Sequence, residues 1–87
     1  MVERGRNVTY AAVIAKRVRQ LCDRKGITLN KLATLSGIRQ STLDNIIKGK
    51  SKSPTLKTLH RIAIGFDMTI SELLDFMEMN ETIFDNE

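Results

Sequence analysis

Gln40, Ser41, Asp44, Asn45 and Lys48 follow one another at offsets that place them along one face of an α-helix. Short amides and hydroxyls in such a row can read the edges of bases. Gln and Asn match adenine N6 and N7 as a bidentate pair, and Ser serves several bases. Arg39, immediately before the row, has the guanidinium that suits guanine or a phosphate. The plainer reading is a solvated helix face, on which Asp44 pairs with Lys48 at i+4 rather than meeting cytosine. Charge argues against solvation alone. Residues 1–66 hold all 14 Lys and Arg against three acids, Glu3, Asp23 and Asp44, a net +11. Residues 67–87 hold seven acids and no base, a net −7. A body this basic repels itself until a polyanion neutralises it, and the acidic stretch reads as a separate element.

No other chemistry finds its residues. One His (His60) and one Cys (Cys22) do not make a metal site without converging carboxylates, and none is spaced for it. No Ser–His–acid set, glycine-rich phosphate loop or carboxylate pair occurs, so the chain reads as a non-enzyme without cofactor or catalytic residue. The single cysteine excludes a disulfide-stapled secreted domain. No apolar run approaches the roughly 20 residues that span a bilayer, and no signal-peptide stretch follows the charged residues 1–7. The expectation is a cytoplasmic protein that does not enter a membrane. Its 87 residues, 41% hydrophobic and 28% charged, leave room for one globular core.

The row needs elements that hold it, and the sequence reads as helices throughout. Apolar residues recur at helical spacing and no run alternates with period two. Thr9 caps a helix over Tyr10–Lys25 with Ile14, Val18 and Leu21 inward, and Gly26 closes it. His60 falls one turn after Leu56 and is expected part-buried, and Cys22 is expected at the core or its boundary. Thr28 caps a second helix carrying Leu29, Leu32, Ala33 and Leu35, which Gly37 ends. The third runs from about Gln40 to Lys48 with Leu43, Ile46 and Ile47 inward, followed by Gly49. A basic loop reaches Pro54, which cannot lie inside a helix. Thr55 then caps a fourth helix with Leu56, Leu59, Ala63 and Phe66 inward. Thr69-Ile70-Ser71-Glu72 is a capping box, flanked by Met68 and Leu73 as a hydrophobic staple. The result is an all-α bundle of five helices.

Residues 29–36 and 40–48, joined through Gly37-Ile38-Arg39, have the layout of a helix-turn-helix. Ala33 is small where the helices cross, and Ile38, Leu43 and Ile46 pin the third helix down. With Ile27-Thr28-Leu29-Asn30-Lys31-Leu32-Ala33, Ser36-Gly37-Ile38, Ser41-Thr42-Leu43 and Lys48-Gly49-Lys50, the chain resembles the Cro/phage-repressor (xenobiotic-response-element) family of helix-turn-helix regulators. Pro54-Thr55-Leu56-Lys57-Thr58-Leu59 and Ile70-Ser71-Glu72-Leu73-Leu74 extend the likeness over roughly residues 13–75. The resemblance implies a compact five-helix bundle of the lambda-repressor-like type. Its implied function is sequence-specific binding of double-stranded DNA in transcription regulation, with the third helix in the major groove. It assigns base contacts to Gln40, Ser41, Asn45 and Arg39. Phosphate contacts fall to Thr28, Asn30, Lys31, Lys48, Lys50, Lys52, Thr55 and Lys57. Three positions depart from the family's habit: Leu29 where a phosphate-binding Gln is frequent, Arg39 where Ser or Thr commonly caps, and Ile47 where a polar residue is usual.

Three parts are expected: a flexible basic arm at 1–8, the DNA-binding domain at 9–76, and an acidic segment at 77–87. Phe76, Met77, Ile83 and Phe84 give that last region more apolar surface than solvation needs, and the reading is a homodimer interface. The rival function is a protein-interaction or antitoxin-like module whose acidic, apolar segment binds a partner protein.

Overall fold

The computed structural model describes residues 9–50 and 53–81, which form helices and no strand. Six helices lie among the described residues, one more than the sequence announces: α1 (Tyr10–Lys25), α2 (Leu29–Ser36), α3 (Gln40–Ile47), α4 (Leu56–Gly65), α5 (Ile70–Leu74) and α6 (Met77–Glu81).

Threonines start four of them. Thr9, Thr28 and Thr55 accept from the amides of Ala12, Lys31 and Thr58 at 3.1, 3.1 and 3.2 Å. Thr69 accepts from the Glu72 amide at 3.0 Å while Glu72 Oε1 accepts from the Thr69 amide at 2.8 Å, completing the capping box. Each such cap contributes about 1 kcal/mol. Left-handed glycines, Gly26 at φ 67° and Gly37 at φ 69°, turn the chain out of α1 and α2. The bonds Ile27 N–H to Cys22 O (3.0 Å) and Ile38 N–H to Ala33 O (3.2 Å) then satisfy carbonyls of each last turn. Asp67, at φ 60°, performs the same turn after α4 without being glycine.

The core joins all of α1 to α5: Ala11, Ile14, Val18, Leu21 and Cys22 of α1 with Leu32, Ala33, Leu43, Ile46, Ile62, Ala63 and Leu73, around a buried Phe66. α2 packs on α4, α3 on α1, α5 on α4 and α6 on α1.

Several sequence expectations shift. On α4 the inner stripe is Leu59, Ile62, Ala63 and Phe66, spaced i, i+3, i+4, i+7. Leu56, at the open first position of the helix, is 70% exposed. The same stripe turns His60 outward, so it is exposed rather than part-buried. On α2 Ser36 is buried while Leu35 is 46% exposed, because Leu32, Ala33 and Ser36 share the face toward α4. Lys48 is the cap of α3 rather than its last residue. The expected five helices become six because Asp75 (φ −90°, ψ 84°) breaks the chain and Met77–Glu81 winds again.

Arg17 holds this last part to α1. Its Nε donates to Leu73 O at 3.1 Å and its Nη2 to Glu72 O at 2.9 Å, and the guanidinium lies 5.0 Å from the Phe76 ring centroid. Carbonyls that the end of α5 leaves unpaired thus receive a charged donor. Lys16 and Glu78 pair at 2.8 Å on the same flank.

Where α2 crosses α4, Gly65 lies against Ser36. A Cβ there would overlap Ser36 Oγ and come within 3.1 Å of Ser36 N and 3.2 Å of Leu32 Cδ1. Gly65→Ala is therefore expected to lose about 1–3 kcal/mol by overpacking, against a helix-propensity gain of about 1 kcal/mol. Urea unfolding of Gly65→Ala and of Gly65→Ala with Ser36→Ala checks this: the second variant should recover part of the loss. A Gly65→Ala protein as stable as the parent would contradict the close crossing.

Candidate nucleic-acid interface

α3 has two sides of opposite character. Leu43 and Ile46 are buried, and Ile38 and Ile47 pack against the core on either side. Outward lie Gln40, Ser41, Asn45 and Lys48, all exposed, with Asp44 partly so and Arg39 exposed just before them. The predicted row therefore occupies one face. Asp44 is partnered from the N-terminal side: Gln40 Nε2 donates to Asp44 Oδ1 at 3.3 Å, in place of the expected pairing with Lys48. The bond is long and exposed, so the Gln40 amide is oriented without being sequestered. Arg39 is extended (φ −70°, ψ 144°) and offers no side-chain cap, so α3 begins with unsatisfied amides facing water.

The flanking residues fall at helix starts and one loop. Thr28, Asn30 and Lys31 surround the first turn of α2, and Thr55 and Lys57 that of α4; all five are exposed. The threonine oxygens serve the third amide of each helix, while the first amides have no acceptor within their own helix and the positive dipole end lies there. Lys48 and Lys50 are exposed at the other end of α3. Lys52 lies outside the described residues. Leu29 is half-buried and packs against the core.

On the acidic side, Phe76 is half-buried against the core and beneath Arg17, whereas Met77 is 70% exposed. Ile83 and Phe84 lie outside the described residues, as does the 1–8 segment. Two residues that organise the site were not singled out in the sequence. Arg17 is one, and Arg61 is the other: its Nη1 donates to Gly37 O at 3.3 Å, tying α4 to the turn before α3. Their signal is faint, a base at a helix position with no acid near it in sequence. Burial, with the Asp23 carboxylate adding to it, raises the Cys22 thiol above its ordinary pKa and keeps it protonated. Among the described residues no group of three His, Cys, Asp or Glu converges on a metal-sized site. No described helix is long and apolar enough to cross a membrane.

The HTH-type transcriptional regulator SinR of Bacillus subtilis (strain 168) is 29% identical over 75 residues, covering 86% of this chain and 66% of that regulator. The chain thus spans about two thirds of that relative's length. The crystal structure of the prophage Lp1 protein 11 superposes with a TM-score of 0.76 at 28% identity, covering 85% of this chain and 97% of the other. SinR in complex with DNA superposes with a TM-score of 0.63 at 29% identity, covering 71% of this chain and 98% of that one. Residues 17–78, which contain the whole α2–turn–α3 unit, the second half of α1, and α4 and α5, match the Cro/C1-type helix-turn-helix domain, and the chain belongs to that family of DNA-binding domains.

Proposed function

We propose that this protein is a transcriptional regulator that binds duplex DNA in a sequence-specific manner with α3 in the major groove, without catalysis. The observation that carries this is the exposed Gln40, Ser41 and Asn45 row on a helix whose opposite side, Leu43 and Ile46, is fixed in the core. Membership of a DNA-binding family and the SinR–DNA complex support it. Base selection falls to Gln40, Ser41 and Asn45, with Arg39 at the mouth of the helix. Affinity comes mainly from phosphates, held by the first turns of α2 and α4 around Thr28, Asn30, Lys31, Thr55 and Lys57, and by Lys48, Lys50 and Lys52 beyond α3.

A single short recognition helix reads few base pairs, too few to select a site within a genome. A two-fold dimer doubles the reading and places half-sites about 10–10.5 bp apart. Met77 is the exposed apolar centre we assign to that interface, with the half-buried Phe76 next to it in sequence.

Gln40→Ala and Asn45→Ala, both at exposed positions, are each expected to cost about 1–3 kcal/mol on the preferred duplex and little on random duplex. Site selection from a random pool followed by paired titrations measures it; equal losses on both duplexes would show that this face reads no bases. Lys50→Ala with Lys57→Ala is expected to flatten the log–log salt dependence by about two units while leaving base preference intact. A salt-independent affinity of the parent protein would overturn the phosphate contacts. Met77→Asp is expected to give a folded monomer that binds a palindrome no better than a half-site, and light scattering with and without duplex decides it. A parent that is itself monomeric on its operator would remove the dimer.

A further inference from the structure

An open groove of about 500 Å³ runs between α1 and the end of α3. Ala12, Ala15 and Ile47 supply small or apolar surface, while Lys16, Arg19 and Lys48 supply positive charge, with one acid, Asp23, among them. We propose that this groove is the docking site of residues 82–87 of the same chain, seated through Ile83 and Phe84.

Four observations converge on that occupant. The segment has the complementary chemistry: its apolar pair Ile83-Phe84 is bordered by Glu81, Asp85 and Glu87 and no base. Residues 1–8, by contrast, bring Arg4 and Arg6 against one acid, Glu3, and so share the sign of the groove. α6, the helix that precedes the segment, meets the groove's edge. Lys16 is a groove residue, and its Nζ holds Glu78 Oε2 of α6 at 2.8 Å, one turn before α6 ends at Glu81. Reach is ample: six extended residues cover about 20 Å, whereas Lys16 to Asp23 along α1 is about 10 Å. Finally, so short a tether gives the segment a local concentration of order millimolar, well above that of a second copy in solution.

Docking places Asp85 and Glu87 where they neutralise Arg19 and Lys48 beside the recognition helix. Under the DNA-binding reading, on which this clause alone rests, the segment and a phosphate then compete for Lys48.

A nitroxide on Asn86→Cys tests the docking without any DNA. Cys22 is buried with its thiol protonated, so the label goes to position 86. The amide signals of Ala12, Ala15, Ile47 and Gly49 are expected to lose intensity severalfold, to an extent unchanged by dilution. Arg19→Glu, at an exposed position of α1, should restore most of that intensity. Groove signals untouched by the label would overturn the proposal, as would broadening that survives Arg19→Glu. Broadening seen only when labelled protein is mixed with an isotope-labelled second copy would overturn it in favour of exchange between chains. None of these outcomes bears on whether α3 reads bases.

Discussion

A helix of eight residues does not persist in water by itself, and α3 has eight. Its N-terminus also lacks the side-chain cap that starts α1, α2, α4 and α5. Everything the outward row can do therefore depends on the burial of Leu43 and Ile46, and the fold is arranged to provide it. α1 gives the floor, with Ile14, Val18 and Leu21 in the cluster that receives them. α2 sets the angle through the Gly37 turn, and Arg61 of α4 fastens that turn by its carbonyl. The missing cap leaves the first amides of α3 unsatisfied and facing water at the positive end of its dipole.

Most of this frame was legible because its signals are local. Thr9, Thr28, Thr55 and Thr69 sit at helix starts, and the starts they predict are the ones found, since a capping hydroxyl competes with little else in its own turn. Gly26 and Gly37 are equally local. The outward row followed from spacing, since once Leu43 and Ile46 point inward, Gln40, Ser41 and Asn45 have only solvent to face.

The misreadings share a different cause, contacts made across the chain. Ser36 is buried and Leu35 exposed because the close approach at Gly65 admits a small side chain and no larger one. Hydropathy ranks that pair the other way, and no window of sequence holds both residues. Leu56 fits the α4 stripe by period yet stands at its open end. The sixth helix was hidden for a similar reason. What anchors it to α1 is Arg17, whose partners Glu72, Leu73 and Phe76 lie more than fifty positions away in sequence. Asp67 at φ 60° marks the end of α4 without the glycine that sequence reading looks for.

Charge organises the molecule at a longer range than any of these contacts. A net +11 in residues 1–66 works against compaction, and the acids of residues 67–87 offset part of it. Glu78 does so from the α1 side: α6 packs on α1, and Lys16–Glu78 is the one Lys or Arg ion pair within 4 Å among the described residues. An exposed pair of this kind contributes little stability by itself. Its consequence is spatial. Charge on α1 is thereby partly offset, while among the described residues Arg39, Lys48, Lys50 and Lys57 have no carboxylate within 4 Å, which leaves the positive potential around α3 and the start of α4. Field of that shape attracts and orients an approaching polyanion toward the side of the molecule on which the exposed Gln40, Ser41 and Asn45 lie.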